Sequence, residues 1–140
     1  MSISTDEGPA TTGARVHVFV YGTLMHGQPE NTLLRAAERV REARVTGTLY
    51  DVDGQFPALV LAGTDVVHGE IWRCAPDTLY ELDRYEDVAG GLFRRVALRI
   101  DDLACWTYVA GGALATRLSP DRRIPAGSWA AFVRSGSGGS

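Results

Sequence analysis

Residues 15–24 read Arg-Val-His-Val-Phe-Val-Tyr-Gly-Thr-Leu. Val16, Val18 and Val20 alternate with His17, Phe19 and Tyr21, the period of two that marks a strand. Gly22 ends the run, and Met25 to Pro29 read as loop. Working outward from this strand, Asn31 is an expected N-cap for a helix over residues 32–43, with Leu33, Leu34, Ala37 and Val40 on one stripe. Strands are expected over 44–52, 57–62 and 66–74, with turns at Asp53-Gly54 and Gly63-Thr64, as in a meander. Pro76 and Asp77 open a second helix that ends near Asp87. Gly90-Gly91 then releases the chain into strands over 92–100 and 104–110, and residues 114–129 read as coil with room for one last strand. About six strands and two helices predict an α+β fold. In this reading only the first crossover is long enough to join a parallel pair.

The 140 residues favour a single domain over 15–134, flanked by a disordered segment at 1–14 and a flexible Gly/Ser tail at 135–140. A formal charge of −3 argues against nucleic-acid binding, which needs a surplus of basic groups. All fourteen basic residues are Arg. Schiff-base lysine chemistry and Walker-type phosphate loops are thereby excluded. No basic start followed by an apolar run opens the chain, and no stretch approaches the roughly 20 apolar residues of a membrane span. The expectation is a cytoplasmic protein without membrane association.

The second helix carries an anomaly. At about 100° per residue from Leu79, Leu82 falls near 300° and Glu86 near 340°. A carboxylate therefore sits on the apolar stripe, where an ion is costly unless paired. Burial and the negative end of the helix would both raise its pKa toward the range that suits proton transfer. Two readings stand at this level: an ion pair with Arg94 of the next strand, or a proton carrier.

A second candidate is Tyr21-Gly22-Thr23-Leu24, where successive free amides can form an anion-binding concavity. Other chemistries fit less well. His17, His26 and His68 lack metal-ligand spacing. Cys74 and His68 lie about 20 Å apart along an extended strand, too far for a nucleophile pair. The two cysteines read as reduced, half-buried thiols. The serines lie mainly in the ends.

Several segments in order carry a resemblance: Val18-Phe19-Val20-Tyr21-Gly22-Thr23-Leu24, Gly47-Thr48-Leu49-Tyr50-Asp51, Phe56-Pro57-Ala58-Leu59-Val60, Val67-His68-Gly69-Glu70-Ile71-Trp72, Leu82-Asp83-Arg84-Tyr85-Glu86 and Phe93-Arg94-Arg95-Val96. Gly127-Ser128-Trp129 stands near the end, where the pattern has Gly-Asp-Trp. Over roughly residues 15–130 the chain resembles the γ-glutamylcyclotransferase-like superfamily, in particular its short bacterial and plant branch with the γ-glutamylamine cyclotransferases. The resemblance implies a small mixed, partly barrel-like sheet with helices beside it. It implies a γ-glutamyl site at Tyr21, Gly22, Thr23 and Leu24, with Glu86 as catalytic acid/base and Phe93 and Arg94 beside the substrate.

The pattern has Tyr where this chain has Phe93. The implied reaction closes a γ-glutamyl group to 5-oxoproline and releases an amine or amino acid, without cofactor or metal. The alternatives are a catalytically silent binding module on the same fold, and a deprotecting enzyme for a γ-glutamylated biosynthetic intermediate. The sequence leaves the oligomeric state open.

Overall fold

The computed structural model describes residues 14–135. The expected flexible ends, 1–14 and 135–140, fall outside that range but for Ala14 and Ser135. Five strands form one mixed sheet: β1 (Val16–Val20), β2 (Glu38–Val52), β3 (Phe56–Cys74), β4 (Phe93–Ile100) and β5 (Leu103–Ala110). Their spatial order is β2-β3-β1-β5-β4. β1 runs antiparallel to β3 and parallel to β5, while β2–β3 and β4–β5 are antiparallel hairpins. Among the described residues three short helices accompany the sheet: α1 (Pro76–Tyr85) between β3 and β4, and α2 (Gly112–Ala115) and α3 (Trp129–Arg134) after β5. The fold is α+β, with five strands among the described residues where about six were expected.

Turn chemistry sets both hairpins. Asp53 (φ 55°) and Gly54 (φ 73°) occupy the left-handed positions between β2 and β3, the backbone of a type I′ turn. Asp101 (φ 51°) and Asp102 (φ 69°) do the same between β4 and β5 without a glycine, a pair the sequence reading left unnoticed.

The expected helix over 32–43 does not form. A 3₁₀ turn (Pro29–Leu34) takes its place, and the chain enters β2 at Glu38. Leu34 reaches the core, but Val40 is 41% exposed. Pairing with β3, from Glu38 opposite Arg73 onward, overrides the helical spacing of four apolar residues. Likewise no turn forms at Gly63-Thr64. β3 continues through it, and the irregularity is absorbed by a register shift at Gly47/Thr48. The parallel pairing also differs from expectation: it joins β1 to β5, the last strand, rather than crossing through a first helix.

No ladder joins the edge strands β2 and β4, so the sheet is open rather than a closed barrel. An ion pair of 3.4 Å between Arg41 and Asp101 links β2 to the β4–β5 turn. Residues 114–129, expected as coil, hold the end of α2, a 3₁₀ turn (Pro120–Arg122) and the start of α3, with an isolated Tyr50–Arg123 bridge in place of a strand. Ser128 caps α3 by accepting a hydrogen bond from the Ala131 amide at 3.1 Å.

Val18, Phe19, Leu49, Leu59, Ile71, Leu79, Leu82 and Leu114 are fully buried in one continuous core. β1 lies at its centre. Cys74 and Cys105 are buried free thiols, and burial pushes both up to about 11. Among the described residues no helix is long and apolar enough to cross a membrane.

Candidate active site

The strand that opens the fold and the helix that carries the buried acid converge on one cavity of about 170 Å³. Gly22, Thr23 and Leu24 form one wall, Glu86 and Tyr85 a second, and Phe93 part of a third. The volume is close to that of a cavity that encloses a benzene-sized molecule.

Close packing shapes the first wall. A Cβ on Gly22 would stand 2.5 Å from Pro57 Cγ, so only glycine lets β1 end beneath that ring. The turn's carbonyls are all tied. Gly22 O accepts from the Met25 amide at 3.1 Å, Thr23 O from the Glu30 amide at 2.9 Å, and Leu24 O from Asn31 Nδ2 at 2.8 Å. Asn31 thus braces this turn instead of capping a helix. The amides of Gly22, Thr23 and Leu24 donate to no acceptor among the described residues. Three such donors in succession suit a carboxylate or a developing oxyanion.

Glu86 ends α1, its amide donating to Leu82 O at 2.8 Å. Its carboxylate has no hydrogen bond or ion pair among the described residues. Burial pushes it from its ordinary 4.5 up to about 8. The Arg94 pairing weighed from the sequence does not occur. Arg94 is exposed and lies outside the cavity lining, a correction to its place among the expected site residues. β4 presents Phe93 and Arg95 to α1, and Arg94 falls on the other side. Arg95 serves Asp83 instead: its Nε donates to Oδ1 at 2.8 Å, and its guanidinium lies 4.4 Å over the Trp106 ring.

Tyrosines frame the acid. Tyr21 donates its hydroxyl hydrogen to Tyr108 O at 2.7 Å and accepts from the Leu59 amide at 3.2 Å. Burial first, then the Glu86 charge, holds its ionisation well above the usual range. Tyr108 donates to Asp83 Oδ1 at 2.6 Å, and burial followed by Asp83 keeps this phenol neutral too. Thr23 Oγ1 and Tyr85 OH meet at 3.2 Å, bridging the turn to the helix end.

Sequence reasoning missed Tyr108, Tyr85, Leu92, Phe56 and Pro57 as cavity residues. Glu70 was also passed over. It accepts from the His26 amide at 2.9 Å and from Trp72 Nε1 at 3.0 Å, fastening the far side of the turn's loop to β3. The spacing Glu70-x-Trp72 was visible, but its partner amide lies 44 residues away. Among the described residues no cluster of three His, Cys, Asp or Glu could hold a metal ion.

Residues 18–131 match the family model described as gamma-glutamyl cyclotransferase, AIG2-like. A Vibrio cholerae protein provisionally named a gamma-glutamylcyclotransferase is 37% identical over 94 residues, covering 66% of this chain and 79% of that protein. The gamma-L-glutamyl-butirosin B gamma-glutamyl cyclotransferase of Niallia circulans is 30% identical over 103 residues, covering 66% of this chain and 65% of that enzyme. The crystal structure of a uropathogenic Escherichia coli protein superposes with a TM-score of 0.73 at 22% identity, covering 86% and 97% of the two chains. By sequence motif, family model and relatives alike, the chain belongs to the gamma-glutamyl cyclotransferase, AIG2-like family.

Proposed function

We propose that the protein cyclises a γ-glutamyl group to 5-oxoproline with release of the attached amine, and that Glu86 carries the proton. The observation behind this reading is a carboxylate that, among the described residues, has no partner, in a largely apolar cavity shared with a turn whose amides donate to none of those residues. The substrate supplies its own nucleophile. Its α-amine attacks its γ-carbonyl carbon, the new C–N bond closes the five-membered ring, and the original amide C–N bond breaks.

The protein's work is to fold the substrate so that amine and carbonyl approach to about 3 Å, to hold negative charge and to move a proton. Tyr21 to Leu24 hold the γ-glutamyl group, with the amides of Gly22 to Leu24 on an anionic oxygen. Glu86 takes a proton from the attacking amine and delivers it to the departing nitrogen. An acid near 8 exchanges protons in both directions at neutral pH. Since the attacking amine must lose its proton to the carboxylate form, turnover is expected to climb with pH through that region. Phe93 packs its ring 5.9 Å from that of Phe56 and contributes an apolar wall in place of a hydroxyl.

The test is a mass-spectrometric screen of γ-glutamyl amines and dipeptides for lactam, on wild type and Glu86→Gln. Glu86→Gln is expected to fold and to lose about 10²- to 10⁴-fold in turnover. Wild-type turnover in that variant overturns the assignment. A deprotecting role in biosynthesis is favoured by one observation, the similarity to the Niallia circulans enzyme whose name gives it gamma-L-glutamyl-butirosin B as substrate. Binding of 5-oxoproline without turnover of any γ-glutamyl compound would instead mark a silent binding module.

A further inference from the structure

Residues 22–31 are knitted mainly to themselves. The amides of Met25, Gln28, Glu30 and Asn31 donate to the carbonyls of Gly22, Met25, Thr23 and Gln28, and the Asn31 side chain donates to Leu24 O. Two hydrogen bonds among the described residues fasten this knot to the sheet and to α1. Thr23 Oγ1 meets Tyr85 OH at 3.2 Å, and the His26 amide donates to Glu70 Oε1 of β3 at 2.9 Å. The first lies on the cavity side. The second lies behind the turn, where Glu70 borders a separate groove with Met25 and takes no part in lining the cavity. We infer that Glu70 is a positioning residue, which sets the tilt of the Gly22 to Leu24 amides from behind without touching the substrate. The inference rests on the cyclotransferase reading, in which those amides hold an anionic oxygen, and adds a residue to it.

Stability alone does not favour a carboxylate at this position. Glu70 stands opposite Glu42 in the β2–β3 ladder, and like charges directly opposite repel. Its side chain is 12% exposed, where an ion needs donors around it. It has three. Oε1 accepts from the His26 amide and from Trp72 Nε1 at 3.0 Å, and Oε2 lies 3.5 Å from Arg39 Nε. Trp72 and Arg39 hold the carboxylate, and the held oxygen in turn fixes the His26 amide. His26 is exposed, so water is an equally ready acceptor for that amide. A water sets no distance between the loop and the sheet, whereas a carboxylate gripped by two side chains does. Glu70 is also the partner of Val20, the last residue of β1, which makes the lever from pin to turn short. Successive amides hold an anion only while they point at one place. A misplacement of about 1 Å at such a site can cost about 10²-fold in rate.

The experiment measures kcat/KM for lactam release, per folded molecule of the full chain, in wild type, Glu70→Gln, Glu70→Asp and Glu70→Ala. The substrate is whichever γ-glutamyl compound of the panel wild type turns over fastest. Glutamine keeps an oxygen acceptor at the same reach and is expected to stay within threefold of wild type. Aspartate draws the acceptor back by one methylene, about 1.5 Å, and alanine removes it. Both are expected to fall tenfold or more, with the pH midpoint of turnover unmoved because Glu86 keeps its surroundings. Equal kcat/KM in all four, with only the unfolding midpoints altered, makes Glu70 a plain structural brace and overturns the inference while Glu86 keeps its role. A glutamine variant as impaired as alanine overturns it too, since the charge rather than the acceptor then matters. No lactam from wild type on any compound overturns the cyclotransferase reading instead. Amide spectra of the ¹⁵N-labelled chain then decide the positioning by themselves. Displaced Gly22 to Leu24 signals in Glu70→Ala sustain it, and unmoved signals overturn it.

Discussion

Asp83 and Glu86 lie three residues apart at the end of one helix and differ by a single methylene, yet their surroundings are opposite. Asp83 accepts from Tyr108 at 2.6 Å and from Arg95 at 2.8 Å. Glu86 accepts from nothing among the described residues and is pushed up to about 8. Solvent alone does not separate them, because both are partly shielded. Partnership does. A carboxylate given two donors becomes a brace, whereas one left without them against an apolar wall holds its proton more tightly.

The sharpest way to break this contrast after the turnover test is a pH series of urea unfolding on wild type and Glu86→Gln. A folded-state pKa above the unfolded 4.5 means the native state binds the extra proton. The contribution of Glu86 is then intact below 4.5, declines by up to ~1.4 kcal/mol per pH unit as pH rises toward about 8, and is flat beyond. Above pH 8 the glutamine variant is expected to exceed wild type by about 3 kcal/mol, short of the full shift because the carboxylate reaches water through the cavity mouth. Parallel curves at every pH would place Glu86 among ordinary solvated acids.

Asp83→Ala attacks the other side of the contrast. It removes the acceptor shared by Tyr108 and Arg95, leaving the hydroxyl only Leu79 O at 3.4 Å, and should lower stability by about 2 kcal/mol at pH 7 by denaturant titration. Retained lactam formation in the surviving folded fraction would sharpen the division of labour. Tyr85→Phe removes the bridge to Thr23, a half-exposed bond worth less than ~1 kcal/mol. Its expected signature is a severalfold rise in KM with kcat nearly unchanged, read by steady-state kinetics.

The unequal legibility of these groups in the sequence has the same origin. Glu86 could be found because α1 obeys its own period: Leu79 and Leu82 are fully buried, and a carboxylate at their angle has no polar face to go to. The turn after β1 was visible for a similar reason, since its glycine interrupts a clean alternation. Partners at long range were not. Assigning Arg94 rather than Arg95 to the helix side is an error of one residue, and in a strand one residue is the opposite face. Residues 32–43 misled because their spacing fits a helix, whereas the winning interaction is a ladder to β3, from Glu38 opposite Arg73 to Ala43 opposite Gly69. Tyr108 reaches the site only through the parallel pairing of β1 with β5, and nothing local announces that pairing.

That pairing has a consequence for how such a molecule can diversify. β1 and β5 point the same way, so the groups invested with chemistry gather at one rim of the sheet. Leu92, by contrast, belongs to one of the connections that arrive there from other directions. Rebuilding those connections would reshape the cavity wall while leaving the ladders and Glu86 intact. A scaffold so divided can change its clientele by loop replacement alone.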